Sequence, residues 1–210
     1  MRLRAVVAAE RQLDRDGRSL FVQAYGRVLG ALRSSYRTLR AADEAERVPR
    51  LVRLAKAYRT AVEDEVSDVV ADADSLLETV LIPGAGEPES LVQYRKMQGD
   101  FWRYACECLR GAALADAKRE ADEAYAQAAA HAERDLPVHS AIRLGVVLNR
   151  AVYAAEIGGD AAAALAACRA AFDAAMAVLE DVPAADFDES AASLAAMKEA
   201  MHAWRQAADE

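Results

Sequence analysis

The sequence has few of the residues that characterise disulfide frameworks, β-rich proteins or membrane spans. Aromatic residues make up 6% of its 210 residues, and there are three cysteines, five prolines and ten glycines. An odd number of cysteines does not suit a disulfide framework and favours a reducing compartment, so we expect a cytoplasmic protein. No run approaches the roughly 18 consecutive apolar residues that a membrane-spanning helix needs, which argues against a membrane partner.

The charge distribution argues against nucleic-acid binding and indicates a localised anion site. The net charge of −8 is the opposite of the basic footprint that nucleic acids require. Basic residues nevertheless crowd the first sixty positions, whereas Arg169 is the only basic residue between Ala151 and Met197. A positive site within an acidic protein would concentrate an anionic ligand.

Long stretches rich in alanine, leucine, arginine and glutamate dominate the sequence instead, and these residues favour helices. Their apolar positions recur with a period of about 3.6 residues, and short connections imply antiparallel neighbours. We therefore predict an all-α, antiparallel bundle of about eight helices. The predicted helices cover about residues 3–11, 14–42, 49–81, 89–109, 114–134, 141–157, 161–179 and 187–207.

Several helix ends can be predicted from individual residues. Either Asp14 or Asp16 can cap the second predicted helix, because an aspartate accepts hydrogen bonds from the unpaired N–H groups of a first turn. Pro49 suits the first turn of the next helix, where its missing N–H has no consequence. The clearest loop is residues 82–88, IPGAGEP.

Three segments are more specific than the helical pattern. Residues 24–37 read AYGRVLGALRSSYR, residues 94–104 read YRKMQGDFWRY, and residues 139–149 read HSAIRLGVVLN. In order and spacing they resemble signature segments of the 14-3-3 family, and the resemblance extends from about Leu13 to Trp204. It implies a single domain, residues 1–210, shaped as a helical cup with a concave ligand groove. The family's first helix has no counterpart before Leu3.

The resemblance implies an adaptor that binds phosphorylated proteins or peptides through phosphoserine or phosphothreonine, without a cofactor and without enzymatic activity. By position, Arg33 and Arg103 correspond to the arginines that clamp the phosphate, and Tyr104 to their hydroxyl partner. The residues expected to line the peptide groove are Lys96, Asn149, Val152, Glu156 and Arg37, the last of which shares a helix face with Arg33.

The chemistry of these side chains agrees with such a role. A phosphoserine carries about −1.5 to −2 charges and three acceptor oxygens near neutral pH. A guanidinium group offers a rigid fork of donors that can bind such oxygens bidentately. An asparagine amide both donates and accepts hydrogen bonds, which suits the main chain of an extended peptide.

The sequence also departs from the family pattern. Gly26 replaces a lysine that precedes the first clamp arginine, and Ala200 replaces a second asparagine that holds the peptide main chain. Small residues (Ala192, Ser193 and Ala196) replace bulky apolar groove residues. Tyr58 and Glu65 match positions that face the partner subunit in family dimers. The missing first helix removes half of that contact, so a homodimer and a monomer both remain open.

Two alternative functions differ from a phosphate-binding adaptor. A phosphate-independent helical scaffold, related to tetratricopeptide repeats or a degenerate 14-3-3 relative, is the alternative that Gly26 and Ala200 favour, although no clean 34-residue period appears. A metal-dependent helical enzyme would need more ligands than the sequence offers. Glu199 and His202 form one Glu-x-x-His spacing where a di-iron bundle uses two, and Cys106 and Cys108 do not have a zinc-site spacing.

Overall fold

A computed structural model describes Val7, residues 12–45 and residues 47–209 of the chain. Within this part of the chain the secondary structure comprises seven α-helices, a π-helical turn and a 3-10 turn, without a β-strand. The helices are α1 (Arg15–Ala45), α2 (Pro49–Leu76), α3 (Pro88–Cys106), α4 (Gly111–Asp135), α5 (Ala141–Glu156), α6 (Ala161–Met176) and α7 (Ala184–Asp209). The all-α prediction is confirmed. The predicted helix at residues 3–11 lies outside the described residues, apart from Val7.

The helix starts follow the capping chemistry of the sequence. Asp14, and not Asp16, caps α1, because the backbone N–H of Gly17 donates to Oδ1 of Asp14 at 2.7 Å. Pro49 is the first residue of α2, as predicted. Gly111 begins α4 with φ of 58°, a left-handed conformation that residues with a Cβ atom rarely adopt.

The end of α2 differs from the prediction. Regular α-helical bonding ends at Leu76, and residues Leu77–Leu81 form a π-helical turn in which the N–H of Ile82 donates to the carbonyl of Leu77 at 2.8 Å. Both Leu77 and Leu81 are fully buried. The apolar pattern could not distinguish the two kinds of turn, because residues four apart share a helix face in either case.

Internal contacts divide the chain into two compact units. The first unit comprises Met1–Gly84 and Asp100–Ala121, and the second comprises Ala85–Gly99 and Asp122–Glu210. Helices α3 and α4 each contribute residues to both units.

The core of the first unit forms where α1 packs against α2. An aromatic cluster adds residues from α3, since the ring of Phe101 lies 6.1 Å from that of Phe21 and 5.7 Å from that of Tyr25, between centroids. The hydroxyl of Tyr25 donates to Oδ2 of Asp72 on α2 at 2.6 Å. These aromatic contacts and the hydrogen bond of Tyr25 therefore hold α1 against its neighbours in this unit.

The second unit contains two apolar clusters. Helices α5, α6 and α7 pack against one another around one cluster, which includes Leu144, Cys168 and Met197. The other cluster joins Val92 of α3 to alanines of α4 and to Val146 of α5. Because α5 and α6 are packed and joined only by residues 157–160, they run antiparallel, as the short connection predicted.

Candidate functional site

Arg33 lies at the edge of the buried face of α1. Leu29, Leu32 and Tyr36 of the same helix are buried, and Arg33 is the residue beside this stripe, with its side chain 23% exposed. At this position the long side chain of Arg33 lies along the apolar surface, and its guanidinium group is near the boundary with solvent. Arg37, one turn further on, is exposed.

Arg103 and Tyr104 lie at the end of α3, in the same unit as Arg33. The Cζ atom of Arg33 is 4.5 Å from the centroid of the Tyr104 ring, and the Cζ atom of Arg103 is 4.6 Å from the same centroid. Both distances are within the range of a cation–π contact. The structure therefore brings together the three residues that the sequence predicted to bind phosphate.

A carboxylate that sequence reasoning missed links the two arginines. Arg33 donates from Nε to Oε2 of Glu107 at 2.8 Å and from Nη2 to Oε1 at 2.5 Å, a bidentate ion pair. Arg103 reaches the same Oε1 atom at 3.8 Å. The four-residue spacing of Arg103 and Glu107 was visible in the sequence, but such spacings occur many times along these helices.

Cys108 lies beside this cluster and does not provide a nucleophile. Burial raises the pKa of its thiol to about 11, and the neighbouring Glu107 carboxylate acts in the same direction. Arg33 and Arg37 oppose this increase in the pKa, because a positive charge favours the thiolate. At neutral pH the thiol is protonated, and a protonated thiol is unreactive.

The predicted groove residues Lys96, Asn149, Val152 and Glu156 belong to the second unit. Asn149, Val152 and Glu156 are spaced three and four residues apart on α5, so they share one helix face. Lys96, Asn149 and Val152 are half-buried, and Glu156 is exposed.

The motif at residues 139–149 also fixes α5 within its unit. The Ser140 side chain accepts a hydrogen bond from the N–H of Arg143, and Nη1 of Arg143 donates to the carbonyl of Leu136 at 2.8 Å. The hydroxyl of Ser190 on α7 donates to the carbonyl of His139 at 2.7 Å. These bonds pair polar groups at the start of α5 and hold the helix in one rotation about its axis within the second unit. They thereby help to fix the direction in which Asn149 projects.

A cavity of about 480 Å³ in the second unit lies away from these groove residues. Most of its walls are alanines of α4, α5 and α6, and Arg143 and Arg150 also line it. On α5 the lining residues Arg150 and Ala154 are about 100° and 140° round the helix from Asn149. The cavity is therefore on another side of α5 from the residues expected to hold a peptide.

The described residues contain no candidate metal centre and no candidate membrane-spanning helix. Among them, no group of three or more His, Cys, Asp or Glu side chains is arranged to hold a metal ion. No helix in the same residues combines the length and apolar character that crossing a membrane requires.

Comparison with known proteins agrees with the motifs and the helical fold. A family model described as "14-3-3 protein" matches residues 1–205, nearly the whole chain. The chain belongs to the 14-3-3 family. The prediction of this family is thereby confirmed.

Three relatives show how far the 14-3-3 likeness extends. Human 14-3-3 protein beta/alpha is 31% identical over 203 residues, which are 96% of this chain and 82% of the relative. The beta/alpha-A protein of Xenopus laevis is 30% identical over 203 residues, covering 96% of this chain and 83% of the relative. A 14-3-3-like protein of Fucus vesiculosus is 32% identical over 188 residues, covering 90% and 75%.

Membership of the 14-3-3 family supports an adaptor role in which the chain binds partner proteins. Members of the family are adaptors and not enzymes, which fits the non-enzymatic role predicted from the sequence, and dimers are general in the family.

Proposed function

We propose that this 14-3-3 protein is an adaptor that binds phosphoserine- or phosphothreonine-containing proteins, with Arg33, Arg103 and Tyr104 contacting the phosphate. The observation that carries the proposal is the convergence of two guanidinium groups, from α1 and α3, on the ring of Tyr104. Two like charges gathered at one point are costly unless an anion compensates them. Glu107 supplies one negative charge, and a phosphate would supply up to two more.

Arg33 has more N–H donors than its ion pair with Glu107 uses, which supports the proposal. Its ion pair with Glu107 uses Nε and Nη2, whereas a guanidinium group has five N–H donors. Arg33, Arg103 and Glu107 together carry a net charge of about +1 at neutral pH, which favours an anion. Phosphate oxygens accept bidentate bonds from such a fork, and the Tyr104 hydroxyl can donate one more.

The proposal also assigns roles to the groove residues that the sequence predicted. We propose that, within the second unit, the side-chain amide of Asn149 holds the main chain of a bound partner segment and that Lys96, Val152 and Glu156 line the path of that segment. Arg37 would meet acidic or polar groups beside the phosphorylated residue. We also propose that the protein acts in the cytoplasm, since none of its three cysteines forms a disulfide.

Titration of a fluorescent Arg-x-x-phosphoserine-x-Pro peptide, with its unphosphorylated twin as the control, tests the proposed function. We expect the phosphopeptide to bind about 100-fold more tightly, since each charge-assisted hydrogen bond contributes about 1.5–3 kcal/mol. Fluorescence anisotropy measures both affinities. Equal affinities would favour the alternative, a phosphate-independent helical scaffold, because Gly26 and Ala200 already remove two ligand contacts expected in the family.

Restoring the missing cation should strengthen phosphate binding. Gly26 lies seven residues before Arg33, so both project from nearly the same side of α1. A Cβ atom added at Gly26 meets no other atom within 4 Å, so a side chain fits there. We expect Gly26→Lys to bind the phosphopeptide about fivefold more tightly because of the added charge. Gly26→Gln is the control for improved helix propensity, and an equal gain from glutamine would show that charge is not the cause.

We propose that the protein forms a homodimer through α2. Leu51, Leu54 and Tyr58 are exposed apolar residues, spaced so that they share one face of this helix. Native mass spectrometry at micromolar concentration should find a dimer, and Leu54→Glu should convert it to a monomer. Lys56→Glu, a change on the other side of α2, should leave the dimer intact. A monomeric wild-type protein would contradict this proposal.

A further inference from the structure

Glu107 has the geometry of a residue that positions the arginines. Its two carboxylate oxygens bind the Nε and Nη2 edge of Arg33, and one of them faces Arg103 at 3.8 Å. Its side chain is only 20% exposed, so solvent screens these contacts incompletely. Glu107 therefore forms ion pairs with both arginines that are predicted to bind phosphate.

The bidentate pair fixes the direction of Arg33. A guanidinium group is planar, so binding one edge determines where its remaining N–H groups point. The Tyr104 ring restricts the same group, since Cζ of Arg33 lies 4.5 Å from the ring centroid. A long flexible side chain is thus ordered before any ligand arrives, and the entropy lost on ordering it does not weaken binding.

Glu107 also reduces the repulsion between the arginines. Arg33 and Arg103 contact the same aromatic ring, and their side chains are only 23% and 11% exposed. Because both guanidinium groups are largely shielded from solvent, they repel each other more strongly than two such groups would at the same distance in bulk water. A carboxylate bound to one and close to the other keeps both in place in the unliganded protein.

We propose that Glu107 is a positioning residue that holds Arg33 against Tyr104 and beside Arg103, so that the phosphate of a partner meets a preformed site. This inference rests on the proposed phosphate-binding function. In the opposite role, the carboxylate would compete with the ligand for Arg33. The two roles predict changes of affinity in opposite directions when the carboxylate is removed.

Glu107→Gln with Glu63→Gln as the matched control tests the inference. Glu63 belongs to the same unit and its side chain is 19% exposed, but its ion-pair partners are Arg59 and Arg110. Each substitution removes one charge of the same kind. We expect Glu107→Gln to weaken phosphopeptide binding about three- to tenfold, through faster dissociation, because Arg33 must be ordered on binding. Glu63→Gln should change the affinity by less than about twofold.

Glu107→Asp provides the second variant. It retains the charge but is one methylene shorter, so the bidentate pair with Arg33 is broken while the field at the site is preserved. We expect it to weaken binding as Glu107→Gln does. Wild-type affinity in Glu107→Asp, or equal or tighter binding by Glu107→Gln, would overturn the positioning role. Far-ultraviolet circular dichroism checks that each variant folds.

A measurement without ligand separates this inference from the proposed function. In the wild-type protein the Nε–H of Arg33 should give a nitrogen–proton NMR signal that exchanges slowly with water, assigned by its loss in Arg33→Lys. Glu107→Gln should make that exchange rapid, and unchanged exchange would overturn the inference. If wild-type protein binds both peptides equally, the proposed function fails and the inference fails with it. If only the phosphopeptide binds and Glu107→Gln binds it equally well, the inference alone fails.

Discussion

Arg33→Ala and Arg103→Ala are each expected to weaken phosphopeptide binding about 10- to 100-fold while leaving the affinity for the unphosphorylated peptide unchanged. Each substitution removes charge-assisted hydrogen bonds worth about 1.5–3 kcal/mol to a phosphate. Arg33→Lys should recover only part of the loss, because an ammonium group keeps the charge but lacks the bidentate fork. Fluorescence anisotropy on both peptides measures the effect.

The two substitutions should not be additive. Arg33 and Arg103 share the Tyr104 ring and the Glu107 carboxylate, so removing one of them already disturbs the position of the other. Residues in one such network typically couple by about 0.5–3 kcal/mol. We therefore expect the double variant to lose all preference for the phosphopeptide, with a total effect smaller than the product of the two single effects.

Arg27→Ala is the matched control for these variants. It also removes one guanidinium group from α1, but Arg27 lies about 120° round the helix from Arg33 and is exposed. Its effect on affinity should stay within about twofold. If Arg33→Ala and Arg103→Ala behaved like Arg27→Ala, the phosphate-binding site would have to be elsewhere in the protein.

The fold was largely predictable because its signals are local. Apolar spacing and caps place each predicted helix, and Asp14 and Pro49 start α1 and α2 in the structure. The start of α7 at Ala184, three residues before the predicted Phe187, reflects the usual uncertainty of helix ends. The π-helical turn after Leu76 was missed because the same residues are buried in either kind of turn.

The candidate site was predictable only where motifs named its residues. The sequence resemblance identified Arg33, Arg103 and Tyr104, and the structure places them together. Glu107 was missed because its principal partner is 74 residues away in the sequence, and helical periodicity carries no information about such pairs. A long-range ion pair is decided by tertiary packing, which becomes visible only in coordinates.

Gly99→Ala is expected to destabilise the protein by about 1–3 kcal/mol, although alanine is intrinsically the better helix former by about 1 kcal/mol. A Cβ atom at Gly99 would lie 2.7 Å from Cδ1, 2.8 Å from Cε1 and 2.9 Å from Cγ of Tyr125. Carbon atoms in contact prefer separations of about 3.5–4.0 Å, so the Tyr125 ring or the helix must move. Thermal and urea unfolding measure the loss.

The ring has little freedom to move away. Tyr125 is fully buried, and its ring packs 5.6 Å, between centroids, from that of Tyr153 on α5. Gly145→Ala is the control, since a Cβ there meets nothing within 4 Å, and we expect it to stabilise the protein by about 0.5–1 kcal/mol. Combining Gly99→Ala with Tyr125→Leu should cost less than the sum of the two changes, because the smaller side chain relieves the overlap. Strict additivity would show that the close approach of Gly99 to the ring is not the reason for a glycine at this position.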